Sequence, residues 1–220
     1  MKIPISDTII RLAYNFFDVE ASAAAGLPHE RMIEYSFALS RLLNKNVREK
    51  IVKALDVGSV ARMNPIPATL SELGYEVVGI DNRDFKYKHR NFTFYKGDIQ
   101  HTNFELNYFD AICAISTIEH IGLSGRYGIN KSNSSGDTKA ICEISRILKP
   151  EGIFIITLPY GDTKKSNNMG RVYNYGSVVR LLCNFNIEEI LFFHKVKDIW
   201  EQTIDTYTSE GVVCIKAINT

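Results

Sequence analysis

The sequence has little of what marks several common protein classes. Its four cysteines, Cys113, Cys142, Cys183 and Cys214, form no CxxC pair, so neither a zinc ribbon nor a dithiol redox motif is expected and no metal site is assigned. Each cysteine lies in an apolar stretch and reads as a small core residue, which suits a reducing, cytoplasmic compartment. Charge of one sign is also scarce. The formal net charge is +1 over 220 residues, too little for the broad basic field that duplex nucleic acid requires. The basic strip Asn82–Arg90 reads as a solvated surface. No apolar run approaches the ~20 residues of a membrane helix, and Lys2 is followed by no long apolar stretch, so no secretory signal is expected. There is no internal repeat and no low-complexity tract. The first candidate ligand loop, Gly58-Ser-Val-Ala-Arg-Met-Asn-Pro65, lacks GxGxxG. A pyrophosphate against a helix N-terminus wants more glycine than that, which argues against a dinucleotide.

What the chain does have is a series of apolar runs, each closing on glycine or a polar residue. Lys53–Gly58, Glu76–Asp81, Phe92–Asp98 and Phe109–Ser116 follow one another. They alternate with helical segments over Pro65–Leu73 and Asp137–Ile147, the second capped by Asp137. Pro150-Glu-Gly152 turns into a strand over Ile153–Leu158. A helix over Val172–Cys183 precedes two final strands, Ile187–His194 and Gly211–Ile218, expected as an antiparallel hairpin at the sheet edge and joined through a long segment that contains Trp200. This alternation predicts a doubly wound, mostly parallel α/β sheet with helices on both faces. Residues 1–50 read as an N-terminal helical lid. Within it, one helix carries Ile9, Ile10 and Phe16, and a second, opened by Pro28, carries Tyr35, Leu39 and Leu42. Residues 51–220 form the α/β domain.

An open α/β sheet binds its ligand at the carboxyl ends of its strands. Gly58 ends the first strand and lets backbone approach a ligand. Asp81 ends the second, about twenty residues on, where a carboxylate accepts ribose hydroxyls. Asp98 ends the third, where it accepts from an amino-purine, and Ile99 offers an apolar face to the ring. Ser116 ends the fourth. Alone, each has an ordinary reading as a turn residue; their order points to a nucleoside cofactor.

The chain resembles the class I S-adenosylmethionine-dependent methyltransferases over about Lys53–Ile218. The resemblance rests on Leu55-Asp-Val-Gly58, Val78-Gly-Ile-Asp81, Gly97-Asp-Ile99, the Phe109-Asp-Ala-Ile strand and Ile147-Leu-Lys-Pro-Glu-Gly-Ile153. Ser116-Thr-Ile-Glu-His-Ile-Gly122 is similar to the segment after the fourth strand in small-molecule members. The resemblance implies a Rossmann-like seven-stranded sheet with an antiparallel last strand. It implies that Asp56 and Gly58 flank the methionine part of the cofactor, that Asp81 holds ribose, and that Asp98 and Ile99 hold adenine. Ser116 would lie beneath the cofactor. Family members usually carry further glycines after the first; here Ser59, Val60 and Ala61 follow.

His120, just past the fourth strand, is the candidate general base. Glu119, Tyr127 and Arg171 are candidate acceptor-binding residues, Arg171 as a partner for a carboxylate or phosphate. Tyr160, Asp162 and Tyr173 are expected in loops over the same face. The function expected is methyl transfer to oxygen or nitrogen of a small acceptor, a sugar or secondary metabolite first, with a homodimer left open as the assembly. Two other readings stand beside it. A nicotinamide-dependent oxidoreductase explains Asp81 but not the glycine-poor loop. A non-catalytic methyltransferase-like binding subunit explains that loop and the apolar N-terminal segment.

Overall fold

A computed structural model describes residues 30–44, 52–61, 64–124, 133–196, 199–204 and 211–220. The expected first helix around Ile9–Phe16 and Tyr127 lie outside these residues. Among the described residues eight strands form one sheet: β1 (Lys53–Val57), β2 (Glu76–Asp81), β3 (Phe92–Lys96), β4 (Phe109–Ile115), β5 (Leu148–Tyr160), β6 (Phe185–Val196), β7 (Ile199–Thr203) and β8 (Gly211–Asn219), in the order β3-β2-β1-β4-β5-β8-β6-β7. β1 pairs in parallel with both β2 and β4. β3 and β5 extend the parallel set on either side. β1, β2 and β4 are short, apolar and buried along nearly their whole length, as strands covered on both faces must be.

Among the described residues four helices cover the sheet: α1 (Glu30–Leu42), α2 (Ile66–Glu72), α3 (Gly136–Ile147) and α4 (Tyr175–Leu181). Successive strand residues point to opposite faces, which divides the core in two. Ala54, Cys113 and Ile155 pack with Leu39 and Leu42 of α1 and Leu70 of α2. Leu55, Ile112 and Phe154 pack with Ile141 and Ile144 of α3 and Val178 of α4. The mostly parallel, doubly wound sheet with helices on both faces is the one expected.

Four particulars differ. The structure adds an eighth strand: the Trp200 segment is not only a connection but folds back as β7 against β6, with Lys195 opposite Trp200. The β6 ladder holds the segment to the sheet, and Trp200 packs against the α1 side of the core. β8 is no edge strand. It runs antiparallel between β5 and β6, and its nearly continuous burial explains why both its edges are covered. Asp137 does not cap α3. Ser135 holds that position, and Asp137 accepts hydrogen bonds from the Thr138 amide at 2.8 Å and the Tyr173 hydroxyl at 3.0 Å. Only Cys113 and Cys214 are core residues; Cys142 and Cys183 are exposed. An apolar stretch at helical period still turns some positions to solvent.

Candidate functional site

Parallel neighbours in a sheet bring their carboxyl ends to one edge. That edge holds a cavity of about 250 Å³, and Gly58, Asp81, Asp98, Ile99, Ser116 and His120 all line it. The volume is near the lower bound, ~300 Å³, of small-molecule sites. Residues that lie 62 positions apart in the chain (Gly58 to His120) thus face one space.

Gly58 has φ +83°, and a Cβ there would sit against Thr117 Oγ1. Thr117 is held in place by donating to the Ile115 carbonyl at 2.9 Å. The Gly58 amide donates to the Ile80 carbonyl at 2.9 Å, tying the turn after β1 to the end of β2. Both the left-handed backbone and the close Thr117 contact demand glycine.

Asp56 does not reach the cavity, contrary to the role the resemblance implied. Its side chain is buried beneath the turn, where Oδ2 accepts from Ser59 Oγ at 2.7 Å and Asn64 Nδ2 at 2.8 Å. Oδ1 is buried with no hydrogen-bond partner among the described residues. Burial pushes the carboxyl up to about 7, against the pull of the Ser59 and Asn64 hydrogen bonds and with a smaller push from Asp81. Asp56 organises the turn that presents Gly58.

Asp81 ends β2, mostly buried, and both of its oxygens are engaged. Oδ2 accepts from the Val60 amide at 3.0 Å and Arg83 Nη2 at 2.8 Å. Oδ1 accepts from the Arg83 amide at 3.0 Å and Arg83 Nε at 2.9 Å. Asp98, past β3, is exposed and accepts from the Gln100 amide at 2.9 Å and its side-chain nitrogen at 3.0 Å. Ile99 beside it is buried and apolar.

Ser116 ends β4 at φ +39°, a backbone region that bulky L-residues rarely visit and that clusters at functional sites. Its amide is held by Thr157 Oγ1 at 3.0 Å, and its hydroxyl donates to Glu34 Oε1. Glu34, from α1, is fully buried and also pairs with Arg31 Nη1 at 3.0 Å. Arg31 donates onward to the Ile115 carbonyl at 3.2 Å and lines the cavity. Burial works against the charge of Arg31, but Glu34 and neighbouring groups outweigh it and raise its pKa.

His120 lies in a short 3₁₀ turn, Ile118–His120, with Nδ1 2.6 Å from the Met169 carbonyl. A carbonyl only accepts, so the proton sits on Nδ1. Nε2 is 3.4 Å from Glu119 Oε1. Glu119 itself is buried behind His120 and does not line the cavity. Arg171 does not line it either. Its guanidinium donates to the carbonyls of Ile121 at 2.7 Å and of Glu119, Asn133 and Ser134 at 3.3 Å, and Nε lies 3.4 Å from Asp137 Oδ2. Neither residue faces the cavity: Arg171 bridges carbonyls of the turn after β4 and of the segment before α3. Tyr160 and Tyr173, expected in loops, are core residues at 2% and 4% exposure.

Sequence reasoning missed Arg31, Glu34, Thr117 and Arg83. Glu34 carried a signal: a charge on the otherwise apolar face that α1 presents to the sheet, next to Tyr35 and one turn before Ala38. Arg83 and Thr117 carried none beyond adjacency to motif residues.

The profile of the family described as "Caenorhabditis protein of unknown function, DUF268" matches residues 71–206. No curated protein sequence matches the chain. Solved structures do. The chain is similar to the Burkholderia thailandensis 1,6-didemethyltoxoflavin-N1-methyltransferase, whose structure holds 1,6-didemethyltoxoflavin and S-adenosylhomocysteine, at 14% identity and a TM-score of 0.59, covering 100% of this chain and 92% of that one. It is similar to a SAM-dependent methyltransferase from Methanosarcina mazei at 14% identity and a TM-score of 0.53, covering 80% of this chain and 98% of that one. It is also similar to the cyclase SpnF at 15% identity and a TM-score of 0.55, covering 84% of this chain and 80% of that one. The fold is that of the class I S-adenosylmethionine-dependent methyltransferases, as the sequence resemblance implied.

Proposed function

The chain belongs to the DUF268 family, and we propose that it is an S-adenosylmethionine-dependent methyltransferase acting on oxygen or nitrogen of a small-molecule acceptor, a sugar or secondary metabolite first. Because the same fold is shared by a cyclase, the reading rests on the site rather than on the fold. One observation carries it: Gly58, Asp81, Asp98 and Ile99 converge on a single cavity at the carboxyl edge of the sheet.

The residues fit the cofactor. Asp81 holds a carboxylate at the cavity wall, and a ribose diol would take the two positions on it that the Arg83 guanidinium fills. Asp98 has an acceptor for the exocyclic amine of adenine, and Ile99 an apolar wall for the ring. Gly58 leaves bare backbone where the methionine portion would lie, with Ser116 beyond it at the end of β4. When bound, the cofactor supplies a methyl group on a sulfonium, an activated electrophile. The protein's own task is then to hold the acceptor in line, and such positioning supplies much of the rate. His120 adds a base. With Nδ1 protonated against Met169, the lone pair is on Nε2, which lies 3.4 Å from the Glu119 carboxylate. Glu119 is in this reading a positioning residue. Four cysteines without a disulfide among the described residues suit a reducing, cytoplasmic compartment, and no described helix is long and apolar enough to cross a membrane.

Titration calorimetry with S-adenosylhomocysteine tests the proposal. Wild type is expected to bind, and Asp81→Ala to bind about ten- to a hundredfold more weakly, since a charged hydrogen-bond acceptor is removed. Absence of heat with wild type at high protein concentration would overturn it.

A further inference from the structure

Asp81 is saturated before any ligand arrives. Its carboxylate accepts four hydrogen bonds, two per oxygen, from the Val60 amide, the Arg83 amide, Arg83 Nε and Arg83 Nη2. An ionised carboxylate has about four lone-pair sites, so a further pair of donors has nowhere to go. The four bonds are not equivalent. The two amide bonds belong to the backbone turns after β1 and β2. The two guanidinium bonds belong to a side chain that is 37% exposed, over a carboxylate that is 5% exposed. Arg83 places one donor on each oxygen of Asp81, Nε on Oδ1 and Nη2 on Oδ2. A vicinal diol would place its two hydroxyl donors the same way. Asp81 and Arg83 both line the cavity.

We propose that Arg83 is a built-in occupant of the ribose subsite: its guanidinium fork takes the place of a diol on Asp81 and must leave before the hydroxyls of a ribose can bond to that carboxylate. This rests on the adenosyl reading of the cavity given above and adds a specificity device to it. A ligand that brings two adjacent hydroxyls replaces both lost hydrogen bonds. A ligand that lacks them leaves Arg83 in place and gains nothing from Asp81. Arg83 therefore sets the affinity for nucleosides through the difference between the two occupants, since a ligand shifts such an equilibrium only by its differential interaction.

The test compares S-adenosylhomocysteine, adenosine and 2′,3′-dideoxyadenosine by titration calorimetry on wild type, Arg83→Ala and Arg83→Lys. Arg83→Ala is expected to bind S-adenosylhomocysteine and adenosine up to about fivefold more tightly, the scale of a partly exposed ion pair, with dideoxyadenosine unchanged. Arg83→Lys, which keeps the charge but not the fork, is expected to fall between. Circular dichroism checks that each variant is folded. Equal or weaker binding of S-adenosylhomocysteine by folded Arg83→Ala overturns the proposal, as does tightening that is the same for the dideoxy compound. Wild type that binds neither S-adenosylhomocysteine nor adenosine overturns the adenosyl reading together with it.

Discussion

Glu34 Oε1 accepts a hydrogen bond from Thr157 Oγ1 at 2.7 Å, joining α1 to the end of β5 across 123 positions of the chain. The same oxygen accepts from Ser116 Oγ at the end of β4, and Oε2 pairs with Arg31. One buried carboxylate thus docks α1 on two strand ends and holds Arg31 at the cavity wall.

Removing that carboxylate takes one buried acceptor from Arg31, which keeps its bond to the Ile115 carbonyl, and from the Ser116 and Thr157 hydroxyls. Glu34→Ala is expected to cost about 3–5 kcal/mol, and Glu34→Gln less, because the amide oxygen still accepts. Guanidinium denaturation of both variants measures this. A loss under about 1 kcal/mol for the alanine variant would mean that α1 docks by apolar contacts alone.

Asp56 predicts a pH dependence whose sign follows from burial. Its carboxyl titrates near 3.8 in the unfolded chain and about 7 in the fold. Below pH 3.8 both states are protonated and its contribution is fully favourable. Between those values the folded state holds more protons, so stability falls as pH rises and levels off above 7. The full cost is of order 4 kcal/mol. Asp56→Asn, which never ionises, is expected to gain on wild type as pH is raised from 4 to 8. Chemical denaturation at both ends reads the difference, and an unchanged gap refutes the assignment.

Gly58→Ala is expected to cost roughly 1–3 kcal/mol, the scale of a residue held in an unfavourable backbone region, because φ is +83° and the new Cβ meets Thr117. Thr117→Ala should recover the steric part and leave the backbone part. A double-mutant cycle on urea denaturation separates the two; no coupling would show that the close contact relaxes at no cost.

Arg171→Ala is expected to act on stability and not on acceptor recognition. It leaves the carbonyls of Ile121 and Glu119 and the Asp137 carboxylate short of a donor, a loss of about 2–4 kcal/mol. A lowered Tm with an unchanged acceptor KM supports this role. An intact Tm with a raised KM would return Arg171 to the acceptor site.

Much of the candidate site was legible in the sequence because parallel strands translate order into place. Gly58, Asp81, Asp98 and Ser116 each follow an apolar run, and a run of that kind ends at the same edge of the sheet as its neighbours. The residue at the end is therefore placed by local pattern alone. Asp56 shows where this logic stops. It lies two positions before Gly58, yet the side chain turns under the loop toward Ser59 and Asn64. Arg171 shows the same limit: a cation in a loop looks available until the carbonyls around it are known.

Local pattern, then, determined the α/β class, the alternation of strands and helices, and the set of residues at the strand ends, since hydrophobic periodicity and turn chemistry act over a few neighbouring residues. Only the tertiary structure decided that Arg83 holds Asp81, that Glu34 binds Ser116 and Thr157, that Arg171 serves backbone carbonyls, and that Ile199–Thr203 adds an edge strand. Those contacts depend on which groups burial leaves in need of a partner, and that need arises when distant segments meet.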